Sequence, residues 1–337
     1  MARAILPQAA SSNSFCAKRV RGRIGPSIRD RLASAIMASS PLLGLPRYPE
    51  AVAANWPLQR CDLGKTLLEW VPIQPAIGAM LDGCDVKDMT DEQVAEVKAM
   101  LYQRKVVVLK NQVLRDEDIE NLAARLGWDG NRIDPFGKSL SNAVQTIARQ
   151  EGQINRFGVR WHYDSAFLER PPEITLIYGV ETPAVGCDTV FTNTELPCSF
   201  LDQKLKERLS SYHINDSYAM VHAQQKRVDP DNAMLSDPSV ETWLRGRTAP
   251  LLHTHSKTGK QVLRACEPYS TVVEFEAPQN KAAVYEVVDY VTSPEFGCRI
   301  HLEANTLVLN DNEGSLHKAL NDSPAKRTIK RMNFNMA

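Results

Sequence analysis

Long apolar runs are missing from this chain. No stretch approaches the roughly 20 residues needed to cross a bilayer, so a membrane-spanning helix is excluded and a soluble protein is expected. Net charge is missing too. The 40 basic residues offset 40 acidic ones, which leaves no overall positive field of the kind that gathers nucleic acid. Seven cysteines stand at 16, 61, 84, 187, 198, 266 and 298 without one C-x-x-C pair. A zinc ribbon and a thioredoxin-type redox motif are therefore not indicated, and the dispersed, odd set reads as reduced thiols inside the cell. No internal repeat is visible, so a solenoid or propeller is not expected.

What is present is unevenly placed. Residues 1–40 hold seven basic residues, one acid and seven serines, leaving 33 basic and 39 acidic residues beyond them, a net of about −6. An organelle transit peptide, plastid or mitochondrial, fits this start, and so does a disordered basic tail on a cytoplasmic protein. Residues 41–66 contain prolines and little pattern, which predicts a linker or an arm packed on the surface. The folded domain is expected over 67–337.

Within that domain, Leu67–Ile73 and Ala76–Ala79 read as short strands. Thr90 and Gln93 form a capping-box pair at the head of a helix carrying Val94, Val97 and Leu101. The β-branched run Lys105-Val106-Val107-Val108-Leu109-Lys110 predicts a buried strand, and a second helix is expected over about Asp116–Leu126. From about residue 140 the pattern turns to short β segments: 144–148, 173–178, 189–191, 261–264, 306–309 and 328–334. Helices are expected only around 195–210 and 280–292. Many strands with a few helices predict a mainly β fold with helical insertions, of the sandwich or jelly-roll kind.

One segment carries chemistry: Arg160-Trp161-His162-Tyr163-Asp164. In extended chain, residues i and i+2 point the same way, so His162 and Asp164 would present an imidazole and a carboxylate to one point. Two histidines and a carboxylate on one face hold non-haem Fe(II) and leave coordination positions open. On its own, an H-x-D match means little. His317 follows a strand-like run and could supply the second histidine. Ten residues later stands Arg327, and four further Arg331, on the same face of a strand. A guanidinium fork suits a carboxylate.

Further stretches extend the pattern: Ile77-Gly78-Ala79 with Gly83, Pro171-Pro172, Thr182-Pro183, Gly186-Cys187-Asp188-Thr189, Thr254-His255 with Thr258-Gly259-Lys260, and Asp311-Asn312 before His317. In order and spacing the chain resembles the taurine/2,4-dichlorophenoxyacetate (TauD/TfdA) type of 2-oxoglutarate-dependent dioxygenases over about residues 70–335. The resemblance implies a double-stranded β-helix, or cupin-like jelly roll, with Fe(II), 2-oxoglutarate and O2 as cofactors. It further implies that His162, Asp164 and His317 bind iron. Thr189 and Arg327 would take the distal carboxylate of 2-oxoglutarate, and Arg331 an anionic group of a small, amino-acid-like or otherwise anionic substrate. Self-association is a family expectation.

Departures from the family pattern lie outside the ligands. Asn310-Asp311-Asn312-Glu313 replaces a usual Trp-Asp-Asn-Arg, Ala249-Pro250 a His-Pro, and His253 an Arg. Tyr269 and Phe167 are candidates for the substrate pocket and equally for the core. His253 and His255 share H-x-H spacing and could be rival ligands, but they lack a nearby carboxylate partner and read as structural, or His255 as a group that supports a ligand. His213, His222 and His301 read as ordinary histidines, and Lys226, Arg227, Arg245 and Arg247 as solvated loop charges. Hydroxylation with release of succinate and CO2 is the default outcome. Oxidative ring closure or desaturation of the kainoid-synthase kind, in a specialised biosynthetic pathway, and a catalytically silent binding protein are the alternatives.

Overall fold

A computed structural model describes residues 41–46, 63–133, 143–153, 158–231, 235 and 238–337. The basic segment 1–40 and residues 47–62 of the expected arm lie outside the described residues. Strands and helices run in the order β1 (Val71–Pro72), β2 (Ala79–Leu81), α1 (Asp91–Arg104), β3 (Val106–Leu109), α2 (Asp116–Leu126), β4 (Gln145–Arg149), β5 (Ile174–Glu181) and β6 (Thr189–Asn193). Next come α3 (Leu196–Ser199), α4 (Gln203–Leu209), β7 (His213–Asp216), α5 (Ala219–Val228), α6 (Val240–Arg245), β8 (Arg247–Pro250), β9 (Leu252–Thr254), β10 (Gln261–Leu263) and β11 (Ser270–Val272). The chain closes with α7 (Gln279–Val291), β12 (Gly297–Ile300), β13 (Leu307–Asp311), β14 (Ser315–Ala319) and β15 (Arg327–Phe334). The fold is mainly β with helical insertions, as expected.

A seven-stranded sheet has the order β1-β2-β3-β13-β5-β15-β4, and a three-stranded sheet the order β12-β6-β14. Only the β2–β3 pair is parallel among the described pairings. Period-two alternation sorts the large sheet's side chains into two cores. Val107, Leu109, Leu176, Leu309 and Phe334 pack with Val97, Leu101 and Leu122 of the helices. Val106, Val108, Ile177 and Val308 pack instead with Phe191, Cys298 and Ile300 of the small sheet. The apolar run at 106–109 is therefore continuous because β3 is covered on both faces.

Local chemistry explains where the expected elements hold and where they shorten. Thr90 Oγ1 accepts from Gln93 N at 3.3 Å, and Gln93 Oε1 from Thr90 N at 2.8 Å, so α1 begins on the predicted capping box. The expected strand at 67–73 shrinks to Val71–Pro72. Glu96 takes the amides of Leu67 and Leu68 at 2.6 and 3.0 Å and the Trp70 indole at 2.9 Å, so those donors are spent on a carboxylate. The one helix expected over 195–210 is two, with Asp202 capping the second through Leu205 N at 2.7 Å. Leu43 and Leu45 of the expected arm are fully buried, their amides held by Glu286 at 3.0 and 2.9 Å. Among the described residues no helix is long and apolar enough to cross a membrane.

Candidate active site

His162 lies outside the named strands and forms a bridge to His317 of β14. The two residues exchange backbone hydrogen bonds at 3.0 and 2.8 Å. The extended path expected through Asp164 does not continue. The chain turns there, and Ser165 takes a positive φ of 50°. Asn312 causes the turn to settle where it does, accepting from Asp164 N at 2.8 Å and donating to Asp164 O at 3.2 Å. The three side chains still converge, with one donor atom from each of His162, Asp164 and His317 all within 4.8 Å of one another. Asp164 Oδ1 is 3.7 Å from His162 Nε2 and 3.8 Å from His317 Nε2.

The hydrogen bonds around this cluster leave the converging atoms free. His162 Nδ1 donates to the Arg160 carbonyl at 2.7 Å, so the Nε2 lone pair is available. The Thr175 hydroxyl donates to Asp164 Oδ2 at 2.8 Å and leaves Oδ1 for the site. Phe191 stacks on the His317 ring at 5.7 Å between centroids. Burial, reinforced by the charge of His162, lowers the His317 pKa to about 3, so its imidazole is neutral near pH 7. Burial alone would raise the pKa of Asp164; the charges of His317, Arg331 and His162 and the Thr175 bond outweigh it and hold the carboxyl at about 2.

These atoms open onto a cavity of about 1000 Å³. Thr189 and Arg327, the first residues of β6 and β15, both line it, and so do Arg331 and Tyr269. Arg331 Nη1 lies 3.9 Å from Asp164 Oδ1, with Nη2 donating to Gln145 Oε1 at 2.9 Å. Phe167 does not line the cavity: it is 2% exposed and backs Tyr269 at 5.3 Å, with Tyr218 and Trp243 behind. Of the two aromatic candidates, then, only Tyr269 meets the space. Arg149, Tyr218 and Gln225 also line it and were missed in the sequence. Arg149 was legible as the partner of Arg327 only once β4 and β15 were paired.

His253 and His255 do have carboxylate partners, contrary to the sequence reading. His253 Nε2 meets Glu313 at 2.6 Å and His255 Nε2 meets Asp311 at 2.8 Å, because the turn after β13 folds against the β9–β10 hairpin. Neither residue lines the cavity. Lys226, Arg227 and Arg245 end helices rather than sit in loops, and Arg247 opens β8. His301 holds Asp188 at 2.6 Å, beside Arg299.

Glu313 gives this region a pH signature. Burial opposes its ionisation, but bonds from His253 and Ser256 prevail and lower its pKa from 4.5 to about 2. A depressed carboxyl contributes stability that is complete above about pH 4.5 and is lost as pH falls through about 2. Glu313→Gln is expected to remove about 2–3 kcal/mol of stability at neutral pH. It is also expected to flatten the loss of stability between pH 4.5 and 2, read by denaturant unfolding across that window. An acid limb identical to that of the parent would exclude this linkage.

Comparison with known proteins agrees with the geometry. Residues 69–333 match the family described as taurine catabolism dioxygenase TauD, TfdA family. An alkylsulfatase of Acinetobacter baylyi is 24% identical over 263 residues, covering 76% of this chain and 81% of that protein. An alpha-ketoglutarate-dependent sulfate ester dioxygenase of Pseudomonas putida is 23% identical over 269 residues, covering 77% and 86%. The structure of a taurine dioxygenase from Burkholderia xenovorans shares the fold, with a TM-score of 0.64 at 22% identity over 80% of this chain and 91% of that one. With the match extending over most of its length, the chain belongs to the TauD, TfdA family and is a 2-oxoglutarate-dependent non-haem iron dioxygenase that uses Fe(II) and O2.

Proposed function

We propose that the protein oxidises a C–H bond of a small anionic or zwitterionic substrate, by default to the alcohol, with release of succinate and CO2. His162, Asp164 and His317 hold the iron in this reading, Thr189 and Arg327 the distal carboxylate of 2-oxoglutarate, and Arg331 with Tyr269 the substrate. The observation that carries it is the convergence of two imidazoles and one ionised carboxylate on a cavity walled by arginines. That donor set fits Fe(II) and leaves one side open. Bound iron supplies the means to couple O2 and the keto acid to oxidation of an unactivated C–H bond.

The chain's own residues orient and neutralise. The Arg160 carbonyl and the Thr175 hydroxyl fix the tautomer of His162 and the rotation of Asp164. Arg149, Arg327 and Arg331 bring three positive charges to the lining against the single negative charge of Asp164. That excess favours an anionic substrate in addition to the dicarboxylate cofactor. The relative named as a sulfate ester dioxygenase is consistent with such a charge. Burial keeps the Tyr269 hydroxyl protonated, so it offers a hydrogen bond. Ile147, Ile177 and Ile329 give the cavity an apolar wall against which substrate carbon can lie.

In the same reading, the large and small sheets are the two faces of a double-stranded β-helix. The catalytic domain spans 67–337, with 41–66 as a linker or arm and 1–40 as a basic tail or transit peptide. Ring closure or desaturation would use the same residues. The unusual Asn310–Glu313 segment does not favour that outcome, because its acids are turned onto His253 and His255. The test is anaerobic titration of the Fe(II) protein with 2-oxoglutarate, following the weak visible charge-transfer band. A band that vanishes in His317→Ala is the expected result; fully metallated protein without band or binding would overturn it in favour of a catalytically silent binding protein.

A further inference from the structure

Pairing of β4 with β15 sets Arg149 directly opposite Arg327. Both side chains are buried, 7% and 8% exposed, and both line the cavity with Thr189. Arg149 Nη2 donates to the Ala325 carbonyl at 2.5 Å and to Cys187 Sγ at 2.8 Å, two residues before Thr189. Nε and Nη1 of Arg149 are buried without a hydrogen-bond partner, and so is Nε of Arg327. Among the described residues neither guanidinium has a carboxylate within ion-pair distance. Asp188, the acid next to Thr189, is already taken by Arg299 and His301.

Two like charges withdrawn from water without a counter-ion form an unfavourable arrangement that an anion relieves. One guanidinium is enough to grip a carboxylate edge-on. A second, beside the first, adds attraction only for ligands that carry the anionic group at that end of the cavity. Cys187 and Ala325 hold one edge of Arg149, so its guanidinium is oriented before any ligand arrives.

We propose that Arg149 is a second guanidinium for the distal carboxylate of 2-oxoglutarate, setting with Arg327 the selectivity for a keto acid that is anionic at its far end. This rests on the cofactor reading given above. Its role is to discriminate: 2-oxovalerate has the same keto-acid head and chain length but a methyl group in place of the far carboxylate. The pair of arginines should separate the two ligands by more than Arg327 could alone.

The experiment is calorimetric titration of the full-length Mn(II)-loaded protein with each keto acid, which needs no turnover. Arg149→Met is expected to weaken 2-oxoglutarate binding by about tenfold or more, the worth of a charge-assisted contact, and to change 2-oxovalerate binding less than about twofold. Arg149→Lys should recover part of the difference, and Arg327→Met serves as the reference loss. Equal weakening of both ligands would make Arg149 a support of the β15 entrance and overturn the proposal. Unchanged 2-oxoglutarate affinity would overturn it as well. Failure of the unaltered protein to bind 2-oxoglutarate would remove the cofactor reading first, and this inference with it.

Discussion

Asp164→Ala or His162→Ala is expected to abolish iron-dependent turnover while the chain stays folded. Each change removes one of three donors that lie within 4.8 Å, and two remaining protein ligands do not hold Fe(II) in a defined open geometry. Folding should survive because both side chains border the cavity rather than fill a core cluster. The backbone at the site is held separately, by the His162–His317 bridge and by Asn312. Succinate release with fresh iron, together with a thermal melt, reads both halves. Full activity in either variant would place the metal elsewhere; loss of the melt would mean that the cluster is part of the core.

The second large effect is on stability. Lys105 is fully buried at the end of α1, with Nζ 2.7 Å from Glu195 and 3.1 Å from Asp311, itself fully buried. Its removal as Lys105→Met takes away the cation that the two carboxylates share, leaving Asp311 to His255 and Glu195 to Lys260, and breaking such a buried pair costs about 3–5 kcal/mol. For a domain of this size a fall in Tm of about 5–10 °C follows. Asp311 also receives the amides of Glu313 and Gly314, both at 3.1 Å, and so shapes the turn that carries Asn312 towards Asp164. Gly314 is required there: a Cβ would stand 2.6 Å from Asp311 Oδ2 and 2.9 Å from Lys105 Nζ. Adding Asp311→Asn to Lys105→Met should recover part of the loss, since one of the two charges that lost their shared cation is removed. A double variant no more stable than the single one would show that charge balance is not what Lys105 provides.

Elements with strong local signals were legible without the fold. The Thr90–Gln93 capping box, the helix over Asp116–Leu126 and the strand expected over 105–110 depend on neighbours in sequence, and they stand where the pattern put them, the strand one residue shorter at each end. The short strands β7, β8, β9 and β12 and the helices α5 and α6 were not legible. Each is only three to ten residues long and is held by partners far along the chain, as His213–Asp216 is by Arg247–Pro250. Propensity over so few residues is outweighed by tertiary pairing.

The residue types at the site, and the order of His162, Asp164, Thr189, His317, Arg327 and Arg331, were determined by the sequence alone, because a recurring chemical constellation leaves its spacing in the chain. Only the tertiary structure decided which other groups share their space. It turned Phe167 behind Tyr269, gave His253 and His255 their acids, and set Arg149 against Arg327 across two strands about 180 positions apart in the numbering. The physical reason is that side-chain direction within one strand follows from period two, whereas the residue facing it depends on register. Register is set by the whole sheet.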